Sequence, residues 1–348
     1  MSNRDNTIKT VKQQVFEPDF SFKNDFEQWY QNPKLSLPFI IQSGCKINLY
    51  LYITGILENG YHSLETLFIP LKNPKDTITF ILEHKTYPTK LQFSSTDNGL
   101  SDENNTLTKA FAIYQKIRKQ TSLEQTPQST LKLHLEKNVP QGAGLGGSSA
   151  NAATLILFLE LLSRKLGLKP LSNKELVTIA ETVGADVTIF LFNQTSLAKG
   201  IGEKLKPVDN PLKNTFLLLV YPDIKISTPW AYKAYDKNLK NNTIKFSSSK
   251  NIKKNNLFLK KVLTKEESFA ISLFSQGIKS FNDFETVVFA EYPNLLKLKQ
   301  QLYEIGASFA GMSGSGSSIF GVFHSDKNAE KAYQLITKTY KSTFLQCL

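Results

Sequence analysis

The stretch from Asn138 to Ala153 constrains this chain more than any other. Glycines stand at 142, 144, 146 and 147, Ser148 and Ser149 follow, and an apolar run continues from Ala152 to Leu162. Just upstream, Leu131 to Leu135 alternates apolar and polar residues. The order is therefore strand, glycine loop, helix. Such a loop lets the backbone take positive φ and come close to a ligand. The helix behind it offers unpaired N–H groups and the positive end of its dipole, which suits a phosphate. Ser148 and Ser149 are placed to cap that helix, or to bind an oxyanion or a metal-bound phosphate. The loop is not a Walker-type P-loop, since no Gly-Lys-Ser/Thr ends it. It is not a dinucleotide fingerprint either, since no acidic residue stands about 20 residues further on after a second strand.

At 348 residues the chain has room for two domains of ordinary size. A composition of 41% apolar and 21% charged residues is globular, and no apolar run is long enough for a membrane span. The two cysteines, Cys45 and Cys347, lie far apart and argue against a disulfide framework, which points to a reducing cytoplasm. The net charge of +12 raises nucleic-acid binding. The lysines are spread along the chain, however, and the densest group (Lys250, Lys253, Lys254, Lys260, Lys261) reads as a solvated surface loop. A basic field also suits a small anionic substrate, and that reading is preferred.

Residues 1–37 form an extension with balanced charge, so it is neither a transit peptide nor a secretory signal. Its aromatics (Phe16, Phe20, Phe22, Phe26, Trp29, Tyr30) are too many for a free tail, and part of it should pack on the body. Strands are expected at Lys46–Thr54, Thr66–Leu71, Asp76–Leu82 and around Leu91–Ser94, with a helix after Asn104-Asn105. Asn173–Val183 reads as an amphipathic helix ending at Gly184, a plausible left-handed stop. Asp186 then stands between that helix end and the apolar run Thr188–Phe192. It is either a turn residue or a buried carboxylate beside the phosphate loop. A domain boundary is placed around Pro207–Lys213, dividing residues 38–207 from 208–348. Beyond it come a buried strand at Phe216–Tyr221, a helix from Ser227 with Pro229 in its first turn, and a mobile Lys/Asn-rich stretch at 237–255. Helices follow after Asn282 and at Asn294–Ile305, then a second glycine/serine loop at Gly311–Ser318, a strand at Ile319–Phe323 and a closing helix from Lys327 to Thr339.

Taken together, these segments resemble the GHMP kinase superfamily, and within it the kinases that act on a cytidine-diphosphate-linked polyol. The resemblance runs from about residue 43 to 325. It rests on Lys46-Ile-Asn48-Leu, Gly60-Tyr61-His62-Ser-Leu-Glu-Thr-Leu67, the loop from Pro140 to Ala153, Gly184-Ala-Asp186-Val, Gly200-Ile-Gly-Glu203, Thr228-Pro229, Asn282-Asp283 and Met312-Ser-Gly-Ser-Gly316, in the family's order.

The resemblance implies an α+β, two-domain GHMP kinase fold. Its N-terminal, ATP-binding domain is like ribosomal protein S5 domain 2, its C-terminal domain is ferredoxin-like, and the active site lies between them. It implies that ATP, with Mg²⁺, phosphorylates the 2-hydroxyl of the diphosphocytidyl-linked methylerythritol, a step of non-mevalonate isoprenoid synthesis. Asp186 would accept or orient the hydroxyl proton, with Lys46 beside it helping to neutralise the transferring phosphoryl group. The ATP site would comprise Pro140, Gly142, Ala143, Gly144, Leu145, Gly146, Gly147, Ser148 and Ser149, with Asn105 and Lys137 near the adenine. On the substrate side, Asn48 would hold a hydroxyl or phosphate and Thr228 would touch the diphosphate. Tyr61 and Tyr232 would flank the cytosine ring while His62 reads its edge. No resident metal-ligand set is implied, and no nucleic-acid or membrane partner.

The sequence departs from the family pattern in places. Ser148 stands where a third glycine is usual, Ala150 where a second serine is, and Gly44-Cys45 where Pro-Ala is. The serines are thus expected to be shifted by one position relative to the phosphates, and an exposed Cys45 would be open to oxidation or alkylation. Two other readings stay open: a GHMP-type kinase of a mevalonate- or homoserine-like alcohol, and a silent homologue that only binds. The Gly60-Tyr61-His62 stretch speaks against the first, because a substrate without a base has no use for it. The joint presence of Lys46 and Asp186 speaks against the second.

Overall fold

In a computed structural model of the protein, the structure describes residues 18–31, 38–84, 86–100, 105–119, 129–264 and 281–348. Two long strands, β1 (Phe39–Ile56) and β2 (His62–Leu82), form an antiparallel pair. The expected strands Thr66–Leu71 and Asp76–Leu82 are thus parts of one strand. β3 (Lys90–Ser95) runs parallel to β4 (Thr130–Glu136), and β4 runs antiparallel to the second half of β2. Along the first half of β2 lie β5 (Ser196–Lys199) and β6 (Lys204–Pro207), giving a six-stranded sheet.

Helices α2 (Thr106–Lys119), α3 (Gly147–Lys165), α4 (Asn173–Val183) and α5 (Val187–Phe192) pack together with this sheet. α3 is apolar nearly all round and is buried from Ala150 to Ala153 and from Leu155 to Ser163, as a helix enclosed by other elements must be. Its one buried acid, Glu160, is paired with Arg118 at 3.0 Å and accepts from Tyr114 at 2.8 Å. α1 (Lys23–Gln31) belongs to the same core. Phe26 is fully buried and meets Phe158 of α3 edge-on at 5.7 Å, a burial that stabilises by about 1.5–3 kcal/mol. Residues 1–17, Phe16 among them, and 32–37 lie outside the described residues.

The chain leaves this sheet at Pro207 and enters a second one at Phe216. The second sheet holds β7 (Phe216–Tyr221), β8 (Phe309–Met312), β9 (Ile319–Phe323) and β10 (Ser342–Cys347), all pairs antiparallel, in the order β10-β7-β9-β8. Helices α6 (Thr228–Lys240), α7 (Ser249–Thr264), α8 (Glu285–Glu291) and α9 (Pro293–Glu304) fall between the first two strands. α10 (Asp326–Ile336) falls between the last two. Fourth, first, third, second is the strand order of a split βαβ, the ferredoxin-like arrangement. The two sheets meet where β1 passes the segment after residue 280: Leu51 N–H donates to Phe281 O at 2.8 Å and Asp283 N–H donates to Leu51 O at 2.9 Å.

Three expectations are corrected. The Lys/Asn-rich stretch 237–255 is not a loop throughout: α6 runs to Lys240 and α7 begins at Ser249, anchored by the buried Ile252 and Leu259. The chain does not close on a helix, because β10 follows α10 and pairs with β7. Gly184 ends α4 with an extended backbone (φ 175°) rather than a left-handed one.

Candidate active site

A cleft of about 720 Å³ opens between the two sheets. Of the candidates above, all line it except Asn105. The Asn105 side chain instead accepts from Thr108 N–H at 2.8 Å, at the start of α2.

The glycine loop forms one wall. Gly144 and Gly146 take φ of +76° and +69°. A Cβ on Gly144 would stand 2.0 Å from Ser313 O, and one on Gly146 would stand 3.1 Å from both Lys46 Cε and the Phe190 ring. Both positions therefore need glycine on conformational and steric grounds. The loop carbonyls from Gly142 to Gly146 are all engaged. Gly142 O accepts from Ile226 N–H at 3.1 Å, Ala143 O from Ser318 N–H at 3.2 Å, Leu145 O from Lys46 N–H at 2.8 Å and Gly146 O from Ala150 N–H at 3.0 Å. Gly144 O accepts from Ser313 Oγ at 2.9 Å and from Lys46 Nζ at 3.2 Å. By contrast, no described residue accepts a hydrogen bond from the N–H groups of Gly142 to Ser149. Helix α3 begins at Gly147 behind a left-handed Gly146, with no side-chain cap. Ser148 and Ser149 are thus in its first turn rather than at its cap, and both line the cleft. Ala150, by contrast, is buried.

The floor is β1. Lys46 is buried beneath the loop, and its Nζ lies 3.3 Å from Asp186 Oδ2, donates to Asn48 Oδ1 at 2.6 Å and sits 5.1 Å from the centre of the Phe68 ring. Asn48 in turn donates to Thr66 Oγ1 at 2.8 Å, and Thr66 donates to Tyr50 O at 2.5 Å, so the Lys46–Asn48 pair is held from below. Asp186 stands at the start of α5 without capping it, and its carboxylate is about a third exposed. This combination, an accessible carboxylate beside a buried ammonium, suits a group that must handle a proton next to developing negative charge.

Sequence reasoning missed Asp76, which anchors the start of the loop. This fully buried carboxylate accepts from the N–H groups of Asn138 and Val139, both at 2.7 Å, from Asn151 Nδ2 at 2.8 Å and from Lys137 Nζ at 2.6 Å. Lys137 also donates to Val139 O at 2.5 Å, so its ammonium lies at the root of the loop as well as on the cleft wall. No local signal marks Asp76, whose partners lie more than 60 residues away.

The far end of the cleft is aromatic. His62 stacks on Tyr232 with ring centres 4.6 Å apart, and Tyr232 meets Phe284 edge-on at 4.8 Å. Burial, with Asp186 and Asp236 nearby, pushes the Tyr232 hydroxyl up to about 12, so it stays protonated. Tyr61 is 62% exposed at the rim. Thr228 Oγ1 and Ser315 Oγ are 2.8 Å apart, joining α6 to the second glycine loop. Cys45, although next to Lys46, is 1% exposed with its thiol pushed up to about 12 by burial, so the structure withholds it from oxidants and alkylating agents.

Among the described residues no group of three or more His, Cys, Asp or Glu is gathered that could hold a metal. The cleft offers instead the Asp186 carboxylate and the hydroxyls of Ser148 and Ser149. That donor set fits Mg²⁺ carried in by a nucleotide, which takes one or two protein oxygens and completes its shell with phosphate and water.

Comparison with known proteins gives the family. Residues 105–194 match the model of the GHMP kinases N terminal domain and residues 264–342 that of the GHMP kinases C terminal. The chain is 39% identical over 316 residues to the 4-diphosphocytidyl-2-C-methyl-D-erythritol kinase of Lawsonia intracellularis, covering 88% of this chain and 96% of that one. It is 36% identical over 294 residues to the enzyme of the same name from Nitratidesulfovibrio vulgaris (strain DP4), covering 84% and 93%. Among solved structures, a 4-(cytidine 5'-diphospho)-2C-methyl-D-erythritol kinase superposes with a TM-score of 0.61 at 25% identity, covering 88% of this chain and 98% of that one. A homoserine kinase from Cytophaga hutchinsonii superposes with a TM-score of 0.62 at 18% identity, covering 91% and 96%, a likeness of fold alone. Identity at this level across nearly the full length of its relatives settles the descent: the chain belongs to the GHMP kinases, in the family of 4-diphosphocytidyl-2-C-methyl-D-erythritol kinases.

Proposed function

We propose that this ATP-dependent kinase phosphorylates the 2-hydroxyl of 4-diphosphocytidyl-2-C-methyl-D-erythritol, a step of non-mevalonate isoprenoid synthesis. The observation that carries the reading is the state of the glycine loop: its carbonyls from Gly142 to Gly146 are bound by protein donors, and among the described residues none accepts from its N–H groups from Gly142 to Ser149. A row of unspent N–H groups at a helix start is a polyphosphate cradle. The Lys46–Asp186 pair stands at its mouth.

In this reading the loop binds the ATP triphosphate and Lys46 draws charge off the transferring phosphoryl group. Asp186 orients the acceptor hydroxyl and receives its proton. Asp186, Ser148 and Ser149 are the groups that would hold Mg²⁺, which when bound neutralises phosphate charge. Asn48 holds an acceptor hydroxyl, Thr228 the substrate diphosphate, and Tyr61, His62 and Tyr232 the cytosine. Lys137 lies toward the adenine side and steadies the loop through Asp76. We place the enzyme in the cytoplasm, in keeping with its free cysteines.

Asp186→Asn keeps the size of the side chain and removes the proton acceptor. Substrate-dependent ADP formation should fall in kcat by about 10²–10⁴-fold. Wild-type turnover in the variant would remove Asp186 from the chemistry.

A further inference from the structure

Behind His62, outside the cleft lining, stands a carboxylate that none of the roles above uses. Asp236, on α6, faces His62 across 174 residues of chain, with Oδ1 2.7 Å from His62 Nε2. The imidazole is fixed on other sides as well. It stacks on Tyr232 at 4.6 Å with 26° between planes, and Tyr235 meets it edge-on at 6.5 Å. The side chain of His62 is only 10% exposed. Its second nitrogen, Nδ1, has no hydrogen-bond partner among the described residues.

An ionised carboxylate can only accept. The short contact therefore places the ring proton on Nε2, and in a neutral imidazole the other nitrogen is then an acceptor. We infer that Asp236 is a positioning residue that sets the tautomer of His62, so that Nδ1 accepts from the exocyclic amino group of cytosine and disfavours uracil. Uracil presents a carbonyl oxygen where cytosine presents N4–H₂. Two lone pairs then face each other, and a buried polar edge goes unpaired, which is the arrangement that separates isosteric ligands most sharply. Without its carboxylate partner the same histidine is free to take the other tautomer, in which Nδ1 donates and matches uracil. The base selectivity of the site thus resides one residue beyond the group that touches the base. This inference rests on the assignment of the cytosine to the His62 end of the cleft.

The test compares kcat/KM for 4-diphosphocytidyl-2-C-methyl-D-erythritol and its uridine analogue in the wild type, Asp236→Asn and Asp236→Ala. The asparagine can turn its amide N–H₂ toward Nε2 and so select the opposite tautomer. The cytidine-to-uridine ratio should drop by about tenfold or more in Asp236→Asn, the effect of one reversed hydrogen bond, and by less in Asp236→Ala, while the KM for ATP stays put. Imidazole ¹⁵N shifts of His62 should report a protonated Nε2 in the wild type and lose that signature in Asp236→Asn. An unchanged ratio in both variants, with an active wild type, overturns the role of Asp236 and leaves the kinase assignment standing. A wild type that turns over neither nucleotide-linked substrate overturns the assignment itself.

Discussion

At the scale of single residues, the carboxylates show how environment divides labour. Asp186 is open to the cleft beside an ammonium, Asp76 is sealed under the loop with four donors, and Asp283 is half-buried where β1 meets the segment after residue 280. Burial pushes the Asp283 carboxyl up to about 6, against the N–H of Ile53 at 2.6 Å and the Ser247 hydroxyl at 2.9 Å, which favour its charge. In the unfolded chain an aspartate titrates near 3.9. Between those values the native state therefore holds the extra proton, and stability falls as pH rises, with the penalty complete above about 6. A shift of about two units corresponds to roughly 3 kcal/mol. Asp283→Asn keeps an oxygen for Ile53 and carries no such penalty. Urea unfolding at pH 4 and pH 7 should show the wild type losing about 2 kcal/mol relative to the variant across that interval; parallel profiles would place the charge elsewhere. Lys46 and Asp186 were legible in the sequence because each sits inside a local motif. Asp76 and Asp236 were not, because the groups that give them meaning are 61 to 75 and 174 residues distant.

At the scale of elements, the glycine loop was the most readable part of the chain, since its density of glycine reflects an actual need for positive φ at Gly144 and Gly146. What composition did not reveal is the reason for the crowding: the second glycine loop, through Ser313 and Ser318, presses against the first. Gly144→Ala should therefore do two things at once. It strains a left-handed backbone, at about 1–3 kcal/mol, and it drives a methyl group into Ser313 O, a backbone atom that cannot swing away. ATP affinity should drop sharply, and the melting temperature should fall by several degrees, at about 2–4 °C per kcal/mol for a chain of this size. Normal ATP binding by a folded Gly144→Ala protein would show that the loop tolerates what its geometry forbids. Other elements were harder to read. α7 hides behind lysine and asparagine: among its described side chains, only Ile252 and Leu259 are buried. β10 is short, with a single buried residue in six, so it carries little of the apolar signal by which strands are found.

For the whole molecule, the fold alone does not choose the substrate. A homoserine kinase and a diphosphocytidyl-methylerythritol kinase superpose on this chain equally well, at TM-scores of 0.62 and 0.61. The choice rests on the sequence identity of 39% and on the aromatic end of the cleft, where Tyr61, His62 and Tyr232 gather from two elements far apart in the chain. A small alcohol that carries no base has no use for such a cluster of rings. The decisive measurement is ADP formation by the purified protein with ATP, Mg²⁺ and one acceptor at a time: 4-diphosphocytidyl-2-C-methyl-D-erythritol, mevalonate and homoserine. The diphosphocytidyl acceptor should be favoured in kcat/KM by about 10⁴-fold, as expected when a site built to hydrogen-bond a polar group meets a ligand lacking it. Equal or faster turnover of either nucleotide-free alcohol would mean that the aromatic end of the cleft serves some other purpose and that the substrate has been misassigned.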